Sequence, residues 1–187
     1  MNEILAQRYH RQGDFYKEAL VVGAADWMTA YSGNYDWSNG INFLRDNLIS
    51  KDLKKLFDLF NNKNPSDLER FQLTHNTIKK AAGTEFAGTA YLREYNYAKA
   101  ITWFKKSTNK KKLQINTNPL VDLLYEKEEP PASEAKFVTT KVAFAEEMQK
   151  QMRLTLTDKA NATKHFYELA NGLYNITYHV HAWQLVQ

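Results

Sequence analysis

The chain has no cysteine. That excludes disulfides, thiol nucleophiles and cysteine-ligated zinc or iron–sulfur sites. It leaves the compartment open, because oxidising and reducing surroundings both tolerate a cysteine-free chain. Glycine and proline are scarce, 7 and 4 among 187 residues. The apolar residues recur at three and four rather than two, and both facts favour helices over sheet. Long hydrophobic runs are missing too. The longest, Ala19 to Ala25, is followed at once by Asp26 and falls well short of the ~18 residues a membrane span needs. Met1 leads straight into a helical pattern, without the basic and apolar segments of a secretory leader. No charge sign dominates, since the formal net charge is +4. Much of it comes from Lys105, Lys106, Lys110, Lys111 and Lys112, which Asp122, Glu126, Glu128, Glu129 and Glu134 answer. Such compensation gives a dipolar surface and argues against nucleic acid as a partner.

What is present reads as helices in series. At this length folding buries about 70% of the unfolded surface, so a single domain, 1–187, needs no metal or disulfide staple. A first helix spans about Asn2 to Gln12 and Gly13-Asp14 breaks it. A second, about Phe15 to Tyr31, sets Tyr16, Ala19, Leu20, Gly23 and Trp27 on one side, with small residues that admit a close neighbour. Asp36 or Ser38 caps a third helix carrying Ile41, Phe43, Leu44 and Leu48. Ser50 caps a fourth with Leu53, Leu56, Phe57 and Phe60. Ser66-x-x-Glu69 forms a capping box. It opens a long helix carrying Leu68, Phe71, His75 and Ile78, which either breaks at Gly83 or, as the pattern favours, runs on through Gly83 to Glu94. Asn96 restarts a helix with Tyr97, Ala100, Ile101 and Phe104. Residues 105–139 read as an irregular connector with Pro119, Pro130 and Pro131. A helix over Thr140 to Arg153 carries Val142, Ala145, Met148 and Met152. Another begins near Thr157-Asp158 with Phe166, Leu169, Ala170, Leu173 and Ile176, and a last one opens around Val180. The chain stops at Gln187 inside an apolar pattern with no cap, which suggests a piece excised from a longer protein.

Two segments match at an offset of 81 residues. Ala6-x-x-Tyr9 with Tyr16-Lys17-Glu18-Ala19-Leu20 aligns with Ala87-x-x-Ala90 and Tyr97-Ala98-Lys99-Ala100-Ile101. This resembles the tetratricopeptide hairpin: a small residue where helices cross, a short turn, then aromatic-x-x-Ala-apolar. The first copy has one extra residue between its breaker and its aromatic, or none if the helix start shifts. The usual period of about 34 residues is absent. A second set of motifs comprises Gly88-Thr89-Ala90-Tyr91-Leu92-Arg93 and Phe166-Tyr167-Glu168-Leu169-Ala170-Asn171-Gly172-Leu173. It resembles large bacterial helical-repeat proteins over most of residues 66–187. The resemblance implies an all-α fold, an irregular tetratricopeptide-like stack of antiparallel hairpins (an α-α superhelix). It also implies a periplasmic or cell-envelope setting, and no activity to carry over.

Templates for chemistry fail one after another. Gly83-Thr84-Glu85-Phe86-Ala87-Gly88-Thr89 has the glycine spacing of a phosphate loop but lacks its lysine and its preceding strand. Gly83 and Gly88 read instead as close helix packing. His179 and His181 would point about 200° apart on a helix, although in a turn they could face one ion. His165 and Glu168 share a face but make only two ligands. His75 reads as a packed, hydrogen-bonded histidine. There is no G-x-S-x-G. The adjacent carboxylates Glu146-Glu147 diverge by about 100° and read as solvated. Lys105 and Lys106 complement the dipole of their helix.

Aromatic residues are the one compositional excess, 13%. Tyr16, Trp27, Tyr97 and Phe104 read as core wedges. Tyr31, Tyr35 and Trp37 around a glycine loop, with Tyr91 and Tyr95 at the better hairpin, are candidate partner-binding residues. The sequence therefore points to a non-enzymatic protein- or peptide-interaction scaffold with no cofactor, no metal and no nucleic acid. The alternative is a carbohydrate-binding module using the aromatics near 31–37.

Overall fold

A computed structural model describes residues 2–26, 39–108, 111–120, 139–177 and 182–186. The described residues are mostly helical: α1 (Asn2–Gln12), α2 (Phe15–Asp26), α3 (Asn39–Asn47), α4 (Ser50–Phe60), α5 (Asp67–Thr74), α6 (Lys80–Arg93), α7 (Tyr97–Lys106), α8 (Lys141–Thr157) and α9 (Ala162–Asn175). Single 3-10 turns lie at Lys111–Leu113, Lys159–Asn161 and Trp183–Val186. Among the described residues, extended pairing is confined to β1 (Gln114–Ile115) and β2 (Thr139–Thr140). They run antiparallel, with Gln114 opposite Thr140 and Ile115 opposite Thr139. This is an all-α chain. It divides into two compact units, Met1–Ala87 and Gly88–Gln187, with the division falling inside α6.

In the first unit α2 is central and packs on α1, α3, α4 and α5. Its apolar sequence explains this, because Ala19 and Leu20 are fully buried and Val21 nearly so. Leu44, Leu48, Leu53, Leu56 and Ile78 complete the core. A Cβ on Gly23 would lie 3.0 Å from Ile78 Cδ1, so the small residue is what lets Ile78 sit against α2. Gly13, at φ 71°, closes α1. Its N–H donates to the His10 carbonyl and that of Asp14 to the Tyr9 carbonyl, which satisfies the last turn of the helix. His10 Nδ1 then meets the Glu18 carboxylate at 2.9 Å and ties the two helices of the hairpin.

In the second unit α8 packs on both α7 and α9. Leu92, Phe104, Phe144, Met148 and Leu185 are buried there. Asn96 caps α7, its side chain accepting from the Lys99 N–H. Thr140 caps α8 in the same way through the Ala143 N–H. Tyr97, Ala100, Ile101 and Phe104 face inward as their spacing predicts.

Several expected boundaries move. The helix expected to run from Ser66 to Glu94 is broken at 75–79, not at Gly83, which lies within α6. The capping box forms as expected, with Ser66 and Glu69 each bonding the other's backbone N–H. The helix it opens ends eight residues later. Asn76 turns its side-chain amide back onto the Gln72 carbonyl. Thr77 gives both its N–H and its hydroxyl to the Gly23 carbonyl, at 3.2 and 3.3 Å. His75 is consequently an exposed C-cap with its ring against Phe71 at 4.6 Å, rather than a core residue. Phe71 and Leu68 are exposed too.

Ser50 is the first residue of α4 and not its cap. Extended Ile49 takes that place, its carbonyl accepting from the Asp52 and Leu53 N–H groups. The α8 helix runs one turn past Arg153. Asp158 then caps a 3-10 turn, delaying α9 to Ala162. Phe166 faces outward, and so does Met152, expected on the apolar face of α8. Phe144 takes part in the core in its stead. A Cβ on Gly83 would meet nothing within 4 Å, so the expected close packing is found at Gly88 alone. Trp27, Asp36, Ser38, Pro130, Pro131 and Val180 lie outside the described residues.

Candidate functional site

The turn between α6 and α7 repeats the hydrogen bonding of the α1–α2 turn. The Tyr95 N–H donates to the Leu92 carbonyl and the Asn96 N–H to the Tyr91 carbonyl. Here the left-handed position that Gly13 fills in the first hairpin is held by Tyr95, at φ 57°. A bulky residue in that region carries a backbone cost. Its side chain is 59% exposed. Two residues on, Tyr97 begins α7 buried, and its hydroxyl is pushed up to about 12, chiefly by burial and secondarily by Tyr95.

Tyr95 stands at one end of an open groove. A recess of about 310 Å³ is bounded by Glu94–Ala98 on one side and by Gln149 and Met152 of α8 on the other. Gln149 and Met152 also border a larger depression of about 580 Å³, with Glu146, Lys150, Arg153 and Leu156. Gln149, Met152, Arg153 and Leu156 recur at three and four, so they form one stripe of α8. The adjoining stripe, with Phe144, Ala145 and Met148, is in the core. Met152 is 45% and Leu156 68% exposed, an apolar strip with water over it.

Most charges around the strip are matched within the fold. Glu146 pairs with Lys105 at 2.7 Å. Lys150 bonds Glu147 at 3.0 Å. Burial works to raise the Glu147 carboxyl, but hydrogen bonds from Lys150 and Gln151 outweigh it and hold the group below its ordinary range. Arg153 is the exception. Among the described residues its guanidinium has no acidic or hydrogen-bonding partner, and it sits between Met152 and Leu156 on the rim.

The residues singled out by sequence are not brought together. Tyr31, Tyr35 and Trp37 lie outside the described residues. Tyr91 is only 7% exposed, with Lys99 Nζ 5.3 Å over its ring, and offers little surface to a partner. Tyr95 alone of the described aromatic candidates reaches the groove. Lys105 serves the ion pair with Glu146, and Lys106 Nζ lies 4.4 Å over the Trp103 ring. Lys110 is outside the described residues, and Lys111 is exposed in its 3-10 turn.

The remaining templates map onto the fold as follows. Residues 83–89 lie within α6, so their N–H groups serve the helix and cannot cradle a phosphate. His165 meets Gln151 Oε1 at 2.7 Å and Asp158 Oδ2 at 3.3 Å, and no contact to Glu168 is made. Gln151 donates its own amide to Glu147, which fixes its oxygen toward the ring. Hydrogen bonds from Asn161 and then His165 keep the Asp158 carboxyl low. Among the described residues no group of three or more histidine and acidic side chains could hold a metal. No described helix is long and apolar enough to cross a membrane.

Sequence reasoning missed the buried charges Glu18, Asp52, Glu85 and Lys141. Lys141, 3% exposed at the start of α8, donates to the Thr89 hydroxyl at 3.0 Å. A lysine directly after a helix cap carries no local signal of burial. Comparison with protein-family models, with curated proteins and with solved structures finds no match.

Proposed function

We propose that this chain is a non-enzymatic interaction scaffold whose tetratricopeptide-like hairpins present a groove to a protein or peptide segment. The observation that carries the reading is the exposed Met152–Leu156 strip beside a likewise exposed Tyr95. Apolar side chains at helical spacing, open to water and flanked by charges most of which are satisfied, are the means by which a helix face or groove takes an apolar segment. The depression has the volume of a small-molecule pocket. It is bounded largely by one stripe of α8, so an occupant would be covered on one side only. That suits a macromolecular segment better than a free metabolite.

Support for the tetratricopeptide-like reading comes from the two turns, which share one hydrogen-bond pattern followed by a cap, Asp14 or Asn96. Ala19 and Ala100 are fully buried in the helices that follow. The turns align one residue out of step with the aromatic motif, so Tyr97 opens its helix while Tyr16 is second in its own. One helical position is a rotation of about 100°. That rotation accounts for a buried Tyr97 against a half-buried Tyr16.

Panning a displayed random-peptide library against the intact chain tests the proposal. Enriched peptides should lose binding to Leu156→Ser and Met152→Ser variants, both at exposed positions where the fold tolerates the change. Enrichment no better than on a blank support, or clones indifferent to both substitutions, would count against a groove scaffold.

A further inference from the structure

The charges around the groove differ in one respect that bears on its occupant. Glu146 and Lys150 are each held by a partner within the fold, Lys105 and Glu147. Glu94 is likewise engaged in the fold. Gln149 is neutral. Among the described residues bordering the depression, Arg153 is left as the one uncommitted charge, with Met152 before it and Leu156 three residues beyond. Its guanidinium offers five donors in a planar fork that matches a carboxylate at two points.

We propose that the occupant is an acidic-apolar peptide segment. It lays an apolar side chain over Met152 and Leu156 and sets an aspartate or glutamate against Arg153. This rests on the reading of the groove as an interaction site and names the chemistry of its partner. Gln149 to Leu156 covers about 10 Å along the helix axis. That accepts about three residues of extended chain or two turns of a partner helix. A basic segment would bring a second cation beside Arg153 with no free carboxylate among the described residues of the rim to offset it. A wholly apolar one would cover the guanidinium and leave its donors without partners, which is costly. Tyr95, at the far end, extends the apolar contact.

The same library separates this proposal from the reading beneath it. Clones selected on the native chain should be enriched in aspartate or glutamate next to leucine, phenylalanine or methionine. The Arg153→Glu variant should weaken them by about fivefold or more, the effect of one exposed ion pair turned from attraction to repulsion. Exchanging the peptide's acid for lysine should restore binding to that variant, and Arg153→Lys should fall between. Thermal melts of both variants matching the native chain show that the fold is intact. Clones that need Leu156 but carry no acid, or acidic clones indifferent to Arg153→Glu, would overturn the acidic partner and leave the scaffold standing. Clones indifferent to Leu156→Ser and Met152→Ser would overturn both.

Discussion

The ring of Phe104 occupies the space that a side chain at Gly88 would need, since a Cβ there would lie 2.4 Å from Phe104 Cδ1 and 2.5 Å from Cε1. Phe104 is fully buried and has no open side to retreat into. Gly88→Ala should therefore destabilise the chain by about 1–3 kcal/mol, the range for overpacking a filled core. Gly83, five residues earlier in the same helix, meets nothing within 4 Å. Gly83→Ala should gain about 0.5–1 kcal/mol from helix propensity alone. Chemical denaturation of the two variants should give midpoints on opposite sides of the native one, and a shift of the same sign in both would contradict the packing.

Tyr95→Gly should stabilise the fold. The position needs φ 57°, which glycine adopts freely at a helix end and tyrosine does not. A gain of about 1 kcal/mol is expected, the lower end of the strain cost for such a residue. The same substitution removes an apolar edge of the groove, so peptide affinity should fall as the melting temperature rises. A variant both less stable and equally good at binding would show that the tyrosine is held for packing.

The Ser66–Glu69 box gives a pH-dependent term. Hydrogen bonds from the Ser66 backbone and side chain hold the Glu69 carboxyl below its ordinary range. A carboxyl lowered by folding stabilises above its unfolded pKa, and the benefit is lost as pH falls through the folded one. Ser66→Ala should cost about 1 kcal/mol at pH 7. Denaturation repeated in acid, once Glu69 is protonated, should show a smaller difference. A difference that does not shrink would mean that the carboxylate contributes nothing.

Asp52 has the opposite sign. Burial raises its carboxyl, Lys55 and Lys51 pull it back only in part, and Asp14 adds to the rise. A carboxyl raised by folding costs stability at neutral pH, and the cost is relieved as pH drops through its folded pKa. Asp52→Asn should thus raise the denaturation midpoint at pH 7, with the gap closing in acid. A lower midpoint at pH 7 would show that the Lys55 contact, at 4.0 Å, outweighs the burial.

What the sequence revealed and what it hid divide by range. Ser66 with Glu69, Asn96 with Lys99, and the Tyr97, Ala100, Phe104 stripe act within a turn or two, and each is found where its spacing predicts. The division of the expected long helix at 75–79 depends on a carbonyl of α2, which no window around Thr77 contains. The groove was illegible for a related reason. Met152 continues the three–four spacing of Ala145 and Met148, and only the end of the packed surface on α8 decides that it faces water. Tyr95 gave a partial signal as an aromatic beside an asparagine cap, but nothing local told it apart from Tyr91, which is buried.

The bonds from Thr77 to the Gly23 carbonyl join residues 54 apart. Closing a loop of that length costs about 3.5 kcal/mol in chain entropy before any constant, against about 1 kcal/mol net for each hydrogen bond. Two bonds cannot draw the loop shut on their own. The junction between α5 and α6 can set only after Ile78 and its neighbours have docked on α2, which places it late in the folding of the first unit. Once set, the Thr77 amide is sealed under that docked surface although it belongs to no helix. Its proton should exchange with solvent as slowly as those of α2, through opening of the packed helices rather than fraying of the connector.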